Sequence, residues 1–305
     1  MATHPEHGVR IATNAPLPTW FGIGGRAERF AAPRSHEELL DCVRIDPSLR
    51  VLGDGANLLV DDQGVPELVV SLKTPAWERV HIDARTGRVV AGAGVSLPRL
   101  IKSTIDAGLS GLEGLGGIPA TIGGALVMNA GGRFGQIGDV VQSVRGVDRT
   151  GLDAVRDRRE IPFEYRKSGL GTMIVTEAEF LLAPANTEKL RAFHREVMAY
   201  KAESQPLSAD SAGCVFKNPT LHADVEGIGP KGARVSAGML IDRAGCKGMA
   251  EGGASVSERH GNFIVTSRGC SAASVITLMD RVAARVLDTF GVRIEPEIVI
   301  WRREP

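Results

Sequence analysis

Glycines form five clusters in the first half of the chain, and clustered glycines suit a loop that holds an anionic ligand through its backbone. The 305 residues include 37 glycines. The clusters lie at Gly22–Gly25, Gly53–Gly55, Gly92–Gly94, Gly111–Gly124 and Gly131–Gly132. Without a Cβ atom, successive N–H groups can approach a ligand closely. A loop-rich protein would have a similar composition, but the concentration in one half favours a ligand cradle there.

Two of these clusters begin like nucleotide-binding motifs and do not complete them. Gly53–Gly55 and Gly92–Gly94 each start a G-x-G-x-x-G sequence but lack its third glycine, which argues against a Rossmann site. The sequence has no G-x-x-x-x-G-K-[ST], which argues against a P-loop kinase or GTPase. Gly53–Asn57 could instead offer successive N–H donors, and the Asn57 amide, to a pyrophosphate. A purely structural turn is the alternative interpretation.

The overall composition narrows the class of protein. Thirty-six basic residues balance 36 acidic ones, so no net field attracts nucleic acid or an anionic membrane. No segment approaches the roughly twenty apolar residues of a membrane span, and no apolar run of signal-peptide type is present. The scattered cysteines form no C-x-x-C pair, and no histidine stands at metal-ligand spacing. We therefore expect reduced thiols, no metal site and a cytoplasmic location. The sequence leaves the oligomeric state open and is compatible with a monomer.

Both α-helices and β-strands are predicted to position these glycine loops. Apolar residues at helical spacing predict helices that follow the capping box Ser35–Glu38, follow Ser96 up to Gly108, cover Leu190–Met198, and cover Val275–Val286 up to Gly291. Apolar and β-branched runs predict strands at Arg50–Leu52, Leu68–Leu72, Arg88–Ala91, Met173–Leu182 and Val292–Trp301. Because strands and helices do not alternate regularly, the prediction is an α+β protein.

Eight motifs occur in an order that resembles one enzyme family, the UDP-N-acetylenolpyruvoylglucosamine reductases. They are Thr19–Gly25 (TWFGIGG), Leu52–Val60 (LGDGANLLV), Gly111–Pro119 (GLEGLGGIP), Met128–Gly131 (MNAG), Tyr165–Ser168 (YRKS), Ser211–Pro219 (SAGCVFKNP), His260–Ile264 (HGNFI) and Glu295–Glu297 (EPE). Each motif alone is weak, but eight in order are specific. The short connections after Pro184 resemble the shorter subclass of the family.

The resemblance implies a fold and a cofactor. The fold is a two-lobed, α+β FAD-binding domain of the vanillyl-alcohol-oxidase and p-cresol-methylhydroxylase type, followed by an α+β substrate-binding domain. We assign residues 1–18 to an N-terminal extension, 19–185 to the FAD-binding domain with a break near residue 74, and 186–305 to the substrate-binding domain. The residues expected to contact FAD are Gly53, Gly55, Ala56, Asn57, Leu58, Gly116, Gly117, Ile118, Pro119, Thr121 and Gly124.

The resemblance also implies a reaction. The family reduces an enolpyruvyl ether of UDP-N-acetylglucosamine to UDP-N-acetylmuramate, a peptidoglycan precursor. NADPH passes a hydride to the flavin, which delivers it to the vinyl carbon. The enolate that develops beside a carboxylate needs a preorganised cation and then a proton donor.

Three residues are expected to do this chemistry. Arg166 suits the cation, because a guanidinium remains charged and grips a carboxylate with two N–H groups. Cys214 stands where many family members have serine, and a thiol is the stronger acid. Glu297 lies in the apolar C-terminal strand, where burial would suit it to acid work or enolate stabilisation. Without the resemblance, each could be a solvated or packed side chain.

Four residues are expected to contact the substrate: Tyr165, Lys217, Asn218 and Asn262. The stretch Thr220–Val235 looks longer than usual in the family and could form a mobile flap. The alternative function is an FAD-dependent oxidase or dehydrogenase of a sugar or alcohol on the same fold. Against it stand the matches in the second half of the chain and the lack of an obvious FAD-attachment residue in the first.

Overall fold

The computed structural model describes residues 8–303. Within that range the α-helices are α1 (His36–Ile45), α2 (Leu97–Asp106), α3 (Ile122–Val127), α4 (Thr187–Ser204), α5 (Ala237–Arg243) and α6 (Ala272–Phe290). The strands are β1 (Ile11–Ala15), β2 (Ala27–Ala31), β3 (Arg50–Val51), β4 (Leu58–Val60), β5 (Val65–Val70), β6 (Val80–Asp83), β7 (Arg88–Gly92), β8 (Leu109–Ser110), β9 (Gly131–Gly132), β10 (Gly135–Gln136), β11 (Val141–Asp148), β12 (Asp153–Asp157), β13 (Met173–Leu181), β14 (Ala183–Pro184), β15 (Ala250–Glu251), β16 (Ala254–Val256), β17 (Ile264–Thr266) and β18 (Val299–Trp301).

The predicted helices are all present. Helix α1 begins as expected, with the Ser35 hydroxyl accepting from the Glu38 N–H at 3.1 Å. The Glu38 carboxylate accepts from the Arg34 N–H at 2.7 Å, one residue earlier than a capping box requires. Helix α6 ends at Gly291, whose φ of 67° closes the last turn in the left-handed region.

The predicted C-terminal strand is much shorter than expected. The sequence pattern extends over Val292–Trp301, but regular pairing covers only Val299–Trp301. Pro296 explains the difference, because it has no N–H for a ladder and takes part only in an isolated bridge. Ile294 and Ile298, which would share one side of such a strand, are both buried.

The described residues divide into two compact units, each built from three chain segments. The first contains the residues up to Ala15, Ala27–Asp54 and Pro66–Lys201, and the second contains Pro16–Arg26, Gly55–Val65 and the residues from Ala202 onward. The predicted boundary near residue 185 stays a prediction. Of the expected extension 1–18, residues 1–7 lie outside the described range, and Ile11–Ala15 form strand β1.

The first unit contains two sheets. A four-stranded sheet has the order β1-β2-β5-β3, and a five-stranded sheet has the order β12-β11-β13-β7-β6. Residue 74 lies between β5 and β6, where the chain passes from one sheet to the other. Both sheets and helices α1 and α2 contribute to one apolar core, which includes Leu39, Val70, Leu100 and Phe180.

The second unit is held together by contacts between segments far apart in sequence. Strand β4 pairs in parallel with β18, and β15, β16 and β17 form a small antiparallel sheet. Helices α5 and α6 pack on the same core as Phe21 and Leu59. The Asp62 carboxylate accepts from the N–H groups of Ala272 and Ala273, at 2.7 and 3.0 Å. A carboxylate at this end of α6 satisfies helix N–H groups and matches the helix dipole.

Among the described residues, no helix is both long enough and apolar enough to cross a lipid bilayer.

Candidate functional site

The loop between β3 and β4 has the backbone groups that an anion site requires. Within the first unit, no described residue accepts a hydrogen bond from the N–H groups of Gly53 and Asp54. Within the second unit, the same holds for the N–H groups of Gly55, Ala56 and Asn57. Leu58 is the first residue of β4 and is buried. Backbone N–H groups without partners are natural ligands for a diphosphate.

Two of the expected FAD loops meet within the first unit. A Cβ atom on Gly53 would lie 2.8 Å from the Thr121 hydroxyl oxygen. Thr121 itself is the N-cap of α3, where its hydroxyl accepts from the Gly124 N–H at 3.3 Å. The glycine at position 53 therefore allows the two loops to approach closely.

Other glycines in the clusters are required by the chain itself. Gly55 has a φ of 66°, and a Cβ atom there would lie 2.3 Å from the Pro18 carbonyl oxygen. A Cβ atom on Gly24 would lie 2.6 Å from the Val60 carbonyl oxygen, and one on Gly25 would lie 2.1 Å from the Gly64 nitrogen. Part of the clustering that we took as the mark of a ligand cradle thus has a packing cause.

Side chains of α4 cover the turn at Gly116–Gly117. A Cβ atom on Gly116 would lie 2.7 Å from His194 Cε1, and one on Gly117 would lie 2.9 Å from Lys201 Cδ. His194 Nδ1 is 3.3 Å from the Glu113 carbonyl oxygen. Sequence reasoning did not single out His194 or Lys201, although their separation of seven residues places them on one face of a helix. The neighbouring Ile118 and Pro119 are half-buried.

Tyr165 and Arg166 form the tip of a tight turn. The N–H of Glu164 donates to the Lys167 carbonyl at 2.8 Å, and the N–H of Lys167 donates back to Glu164 at 3.2 Å. Arg166 has a φ of 58°, a conformation that costs a residue with a side chain about 1–2 kcal/mol. Its guanidinium donates to the Gly131 carbonyl at 2.9 Å and lies 5.1 Å from the centre of the Tyr165 ring. A strained residue held this firmly is a candidate functional residue.

In the second unit, Cys214 begins an extended segment that is paired along one side with the HGNFI motif. Cys214 forms an antiparallel bridge with Phe263. The Val215 N–H donates to the Asn262 carbonyl at 2.9 Å. Cys214 is half-buried, and Gly213 before it has a φ of 77°. The backbone around the candidate proton donor is therefore fixed by main-chain hydrogen bonds.

The other side of the same segment is paired with the EPE motif. The Glu297 N–H donates to the Val215 carbonyl at 2.8 Å, and the Lys217 N–H donates to the Glu295 carbonyl at 2.8 Å. Glu297 is half-buried. The structure thus brings the segments that carry Cys214 and Glu297 into direct contact.

Asn57 joins this arrangement through its side chain and its backbone. Its amide Nδ2 donates to the Glu297 carbonyl at 3.3 Å, and its carbonyl accepts from the Val299 N–H at 3.0 Å. Asn57 was expected to offer its amide to a pyrophosphate, but one of the two amide N–H groups is already used by Glu297. The expected cofactor loop and the expected catalytic strand are neighbours within the second unit.

Lys217 and Asn218, two of the expected substrate residues in the second unit, differ in their surroundings. Lys217 Nζ lies 3.9 Å from the Glu295 carboxylate, in an exposed ion pair that contributes little to stability. The Asn218 side-chain oxygen accepts from the Ala237 N–H at 2.9 Å, at the first residue of α5. Lys217 therefore has the more accessible functional group.

Asn262 differs from our expectation of a substrate contact. It is 2% exposed, its Oδ1 accepts from the Phe216 N–H at 2.9 Å, and its Nδ2 donates to the Phe216 carbonyl at 2.8 Å. A buried amide in two backbone hydrogen bonds would have to break both of them to reach a substrate. The structure therefore gives Asn262 the part of holding the segment that contains Cys214.

The stretch Thr220–Val235, expected as a flap, folds back on itself. Thr220 forms a bridge with Arg234, and Val225 forms one with Gly229. Leu221 is buried in the apolar core of the second unit. This stretch is closed by backbone pairing and anchored by Leu221, while most of its residues are exposed.

Cys214 differs from the other three cysteines in its surroundings. Cys42, Cys246 and Cys270 are buried. Burial, together with the nearby Asp41 and Glu38, raises the pKa of the Cys42 thiol to about 12. Burial also raises the pKa of Cys246 and of Cys270. Three of the four thiols are thus both covered and disfavoured as thiolates.

We expect a thiol reagent to modify one cysteine rapidly in the native protein and the other three only after unfolding. The fast-reacting thiol should be Cys214, because reactivity requires access and thiolate character. The measurement is the number of thiols that react with a chromogenic disulfide before and after denaturant is added. Cys214→Ser is the control and should remove the fast phase. A fast phase that persists in this variant would contradict the prediction.

The described residues contain no group of three or more His, Cys, Asp and Glu side chains that could hold a metal ion.

Comparison with known proteins gives a consistent result for both halves of the chain. A family model described as FAD binding domain matches residues 27–152. A second, described as UDP-N-acetylenolpyruvoylglucosamine reductase, C-terminal domain, matches residues 205–301. These matches confirm the predicted α+β fold with an FAD-binding domain and a C-terminal domain of this family.

Relatives match over almost their whole length. The UDP-N-acetylenolpyruvoylglucosamine reductase of Moorella thermoacetica is 40% identical over 96% of this chain and 94% of its own. That of Desulfosudis oleivorans is 37% identical over 95% of this chain and 94% of its own. The crystal structure of the Thermus caldophilus reductase is 38% identical, with a TM-score of 0.79 over 96% of this chain and 99% of that one. The chain is therefore an FAD-binding oxidoreductase and belongs to the UDP-N-acetylenolpyruvoylglucosamine reductase family.

Proposed function

We propose that this enzyme reduces UDP-N-acetylenolpyruvoylglucosamine to UDP-N-acetylmuramate, with NADPH as the hydride donor, in the synthesis of peptidoglycan precursors. Two electrons and one hydrogen come from NADPH as a hydride, and the second hydrogen comes as a proton, so the enolpyruvyl group becomes a lactyl group and NADP⁺ is released. The observation that carries the proposal is the hydrogen-bonded contact between the segments of Asn57, Glu297 and Cys214 within one unit. It combines a cofactor loop with two groups suited to proton transfer.

The residues of the glycine loops fit the FAD assignment. Four N–H groups have no hydrogen-bond acceptor among the described residues of their own units, those of Gly53, Gly55, Ala56 and Asn57. Leu58 follows them, and Gly116, Gly117, Ile118, Pro119, Thr121 and Gly124 form the second loop. Such N–H groups are neutral, and they would bind the negatively charged diphosphate through hydrogen bonds. When bound, FAD supplies a carrier that accepts a hydride from one substrate and gives it to another.

Arg166 is proposed to hold the substrate carboxylate and to stabilise the enolate that develops beside it. Its turn fixes the backbone, and its guanidinium is anchored by a hydrogen bond to the Gly131 carbonyl. A cation that is already in place needs no reorganisation when charge develops. Tyr165, whose ring lies beside the guanidinium, would contact the same end of the substrate.

Cys214 is proposed to give a proton to the carbon next to the carboxylate. Main-chain hydrogen bonds to Asn262 and from Glu297 hold the next residue, Val215, along both edges, so the thiol is presented from a fixed segment. Glu297 is proposed to assist from the adjacent segment, by stabilising the enolate or by returning a proton to the thiol.

The remaining substrate contacts would serve the UDP group. Lys217 would bind the diphosphate, since its exposed ion pair with Glu295 is easily exchanged for a phosphate. Asn218 is proposed to contact the same group, from a side chain whose oxygen accepts from the Ala237 N–H. Asn262 is proposed to act indirectly, through Phe216.

The domain assignment and the cellular location are part of the same proposal. Residues 19–185 are proposed to bind FAD and residues 186–305 the substrate, in line with the family models that match 27–152 and 205–301. We propose a cytoplasmic location because NADPH is a reductant of that compartment and the four cysteines are free thiols.

The proposal is tested with protein purified in its yellow, FAD-containing form. Under anaerobic conditions NADPH should remove the visible flavin absorbance, and UDP-N-acetylenolpyruvoylglucosamine should restore it with formation of UDP-N-acetylmuramate. UDP-N-acetylglucosamine, which lacks the enolpyruvyl group, is the matched control and should restore nothing. If only oxygen restores the absorbance, the enzyme is an oxidase and the proposal is wrong.

A further inference from the structure

Asn129 is a buried residue of the MNAG motif that the proposed reaction does not yet use. It lies just beyond α3, is 1% exposed and has a φ of 42°. Asparagine is one of the few residues with a side chain that adopts this backbone region readily. Both its conformation and its burial call for a specific reason.

The amide of Asn129 is fully used within the first unit. Its Nδ2 donates to the Glu164 carbonyl at 2.8 Å and to Gln136 Oε1 at 3.0 Å. Its Oδ1 accepts from the Gly138 N–H at 3.1 Å. An amide with two donors and an acceptor therefore links three chain segments, and a carboxylate of the same shape could not make the two donations.

One of these partners begins the turn that carries Arg166. Glu164 exchanges two backbone hydrogen bonds with Lys167, so the position of the Glu164 carbonyl sets the position of the whole turn. The Arg166 guanidinium donates to Gly131, which is two residues after Asn129. The Ser168 hydroxyl donates to the Val127 carbonyl at 2.9 Å. Residues 127–131 thus hold the start of the turn, its tip and the residue that follows it.

We propose that Asn129 is a positioning residue that aims Arg166 at the carboxylate end of the substrate. The inference rests on the proposed function, which gives Arg166 its partner. Of the three side-chain partners of Asn129, Glu164 belongs to this turn, so we expect the half-reaction that uses Arg166 to suffer more than reduction by NADPH. A misplaced guanidinium would bind the carboxylate less well and stabilise the developing enolate less well.

Two variants separate the contributions of backbone and side chain. Asn129→Gly keeps the permitted φ and removes the amide, whereas Asn129→Asp keeps the shape and removes the two donations. Thr104→Val is the matched control, since it removes the buried hydrogen bond from Thr104 to Ile101 in the same unit without touching the turn. Thermal unfolding and FAD content are measured for each, so that a general loss of stability is recognised.

The rates of the two half-reactions give the first readout. With FAD-containing enzyme, reduction by NADPH should stay within about twofold of wild type in both Asn129 variants. Reoxidation by UDP-N-acetylenolpyruvoylglucosamine should slow by about 10–100-fold, as expected when a positioned group moves by an ångström. Thr104→Val should change neither rate. Equal slowing of both half-reactions would overturn the proposal in favour of a purely structural role.

Binding and a double-mutant cycle give the second readout. In their oxidised form, the Asn129 variants should bind UDP-N-acetylenolpyruvoylglucosamine more weakly than wild type does. Their affinity for UDP-N-acetylglucosamine, which lacks the carboxylate, should change little. In an Arg166→Ala background, Asn129→Gly should have almost no further effect on reoxidation. Additive effects, or wild-type reoxidation in both Asn129 variants, would overturn the inference. If wild-type enzyme itself is not reoxidised by the substrate, the proposed function has failed instead.

Discussion

Replacing Cys214 with alanine should slow the reoxidation of reduced enzyme by UDP-N-acetylenolpyruvoylglucosamine by a factor of about 10²–10⁴, the usual contribution of a positioned proton donor. Reduction by NADPH should be unchanged, because that half-reaction delivers no proton to the substrate carbon. Anaerobic stopped-flow absorbance measures both rates on the same preparation. Deuterated solvent should lower the slow rate if proton transfer limits it.

Two further variants make this prediction specific to the thiol. Cys214→Ser retains an O–H donor at the same position and should recover part of the lost rate. Cys246→Ala removes a fully buried thiol from the same unit and serves as the control for altered packing. Reoxidation of Cys214→Ala at the wild-type rate would exclude Cys214 as the donor and leave Glu297 as the candidate.

A second large effect is expected on stability, from Gly64→Ala. Gly64 has a φ of 77°, and a Cβ atom there would lie 2.0 Å from the Arg26 carbonyl oxygen. Left-handed strain of about 1–2 kcal/mol adds to overpacking of about 1–3 kcal/mol, so the free energy of unfolding should fall by about 2–5 kcal/mol. Urea unfolding monitored by tryptophan fluorescence measures the change.

Gly213→Ala is a matched control for the backbone term. Gly213 has the same φ of 77°, but apart from its two chain neighbours no heavy atom of residues 8–303 lies within 4 Å of the place where its Cβ would be. This variant should lose only the strain contribution, about 1–2 kcal/mol. Equal losses in the two variants would show that the close approach to Arg26 contributes nothing.

The local structure was largely predictable from the sequence because short-range patterns determine it. Ser35, Ser96 and Gly291 mark helix ends as expected, and apolar spacing gives the buried faces of α2 and α6. The predicted length of the C-terminal strand was wrong, because the apolar alternation continues through Pro296 whereas the regular strand pairing does not.

The functional parts of the glycine clusters could not be separated from the structural ones by sequence alone. Gly55 and Gly25 look like cradle residues, yet each faces backbone atoms of Pro18 or Gly64. Those neighbours are distant in sequence, so no local pattern reveals them. In contrast, the motif order correctly indicated the family before any contact was known.

The sequence does not show whether a buried asparagine binds a ligand or holds the backbone. Asn262, predicted to contact the substrate, donates to the Phe216 carbonyl, and Asn129, for which we made no prediction, donates to the Glu164 carbonyl. An asparagine side chain suits a ligand and a backbone group equally well. Only burial and the positions of its partners distinguish these roles.

The hydrogen bond from Asn57 to Glu297 joins residues that are 240 positions apart. A ribosome adding about 5–20 residues per second needs about 12–48 s to make the intervening chain. During that time the apolar strand Leu58–Val60 has been synthesised while its partner Val299–Trp301 does not yet exist. The nascent chain must therefore carry Leu58–Val60 without this partner until residues 299–301 have been made. The second unit can close only after Val299–Trp301 have left the exit tunnel.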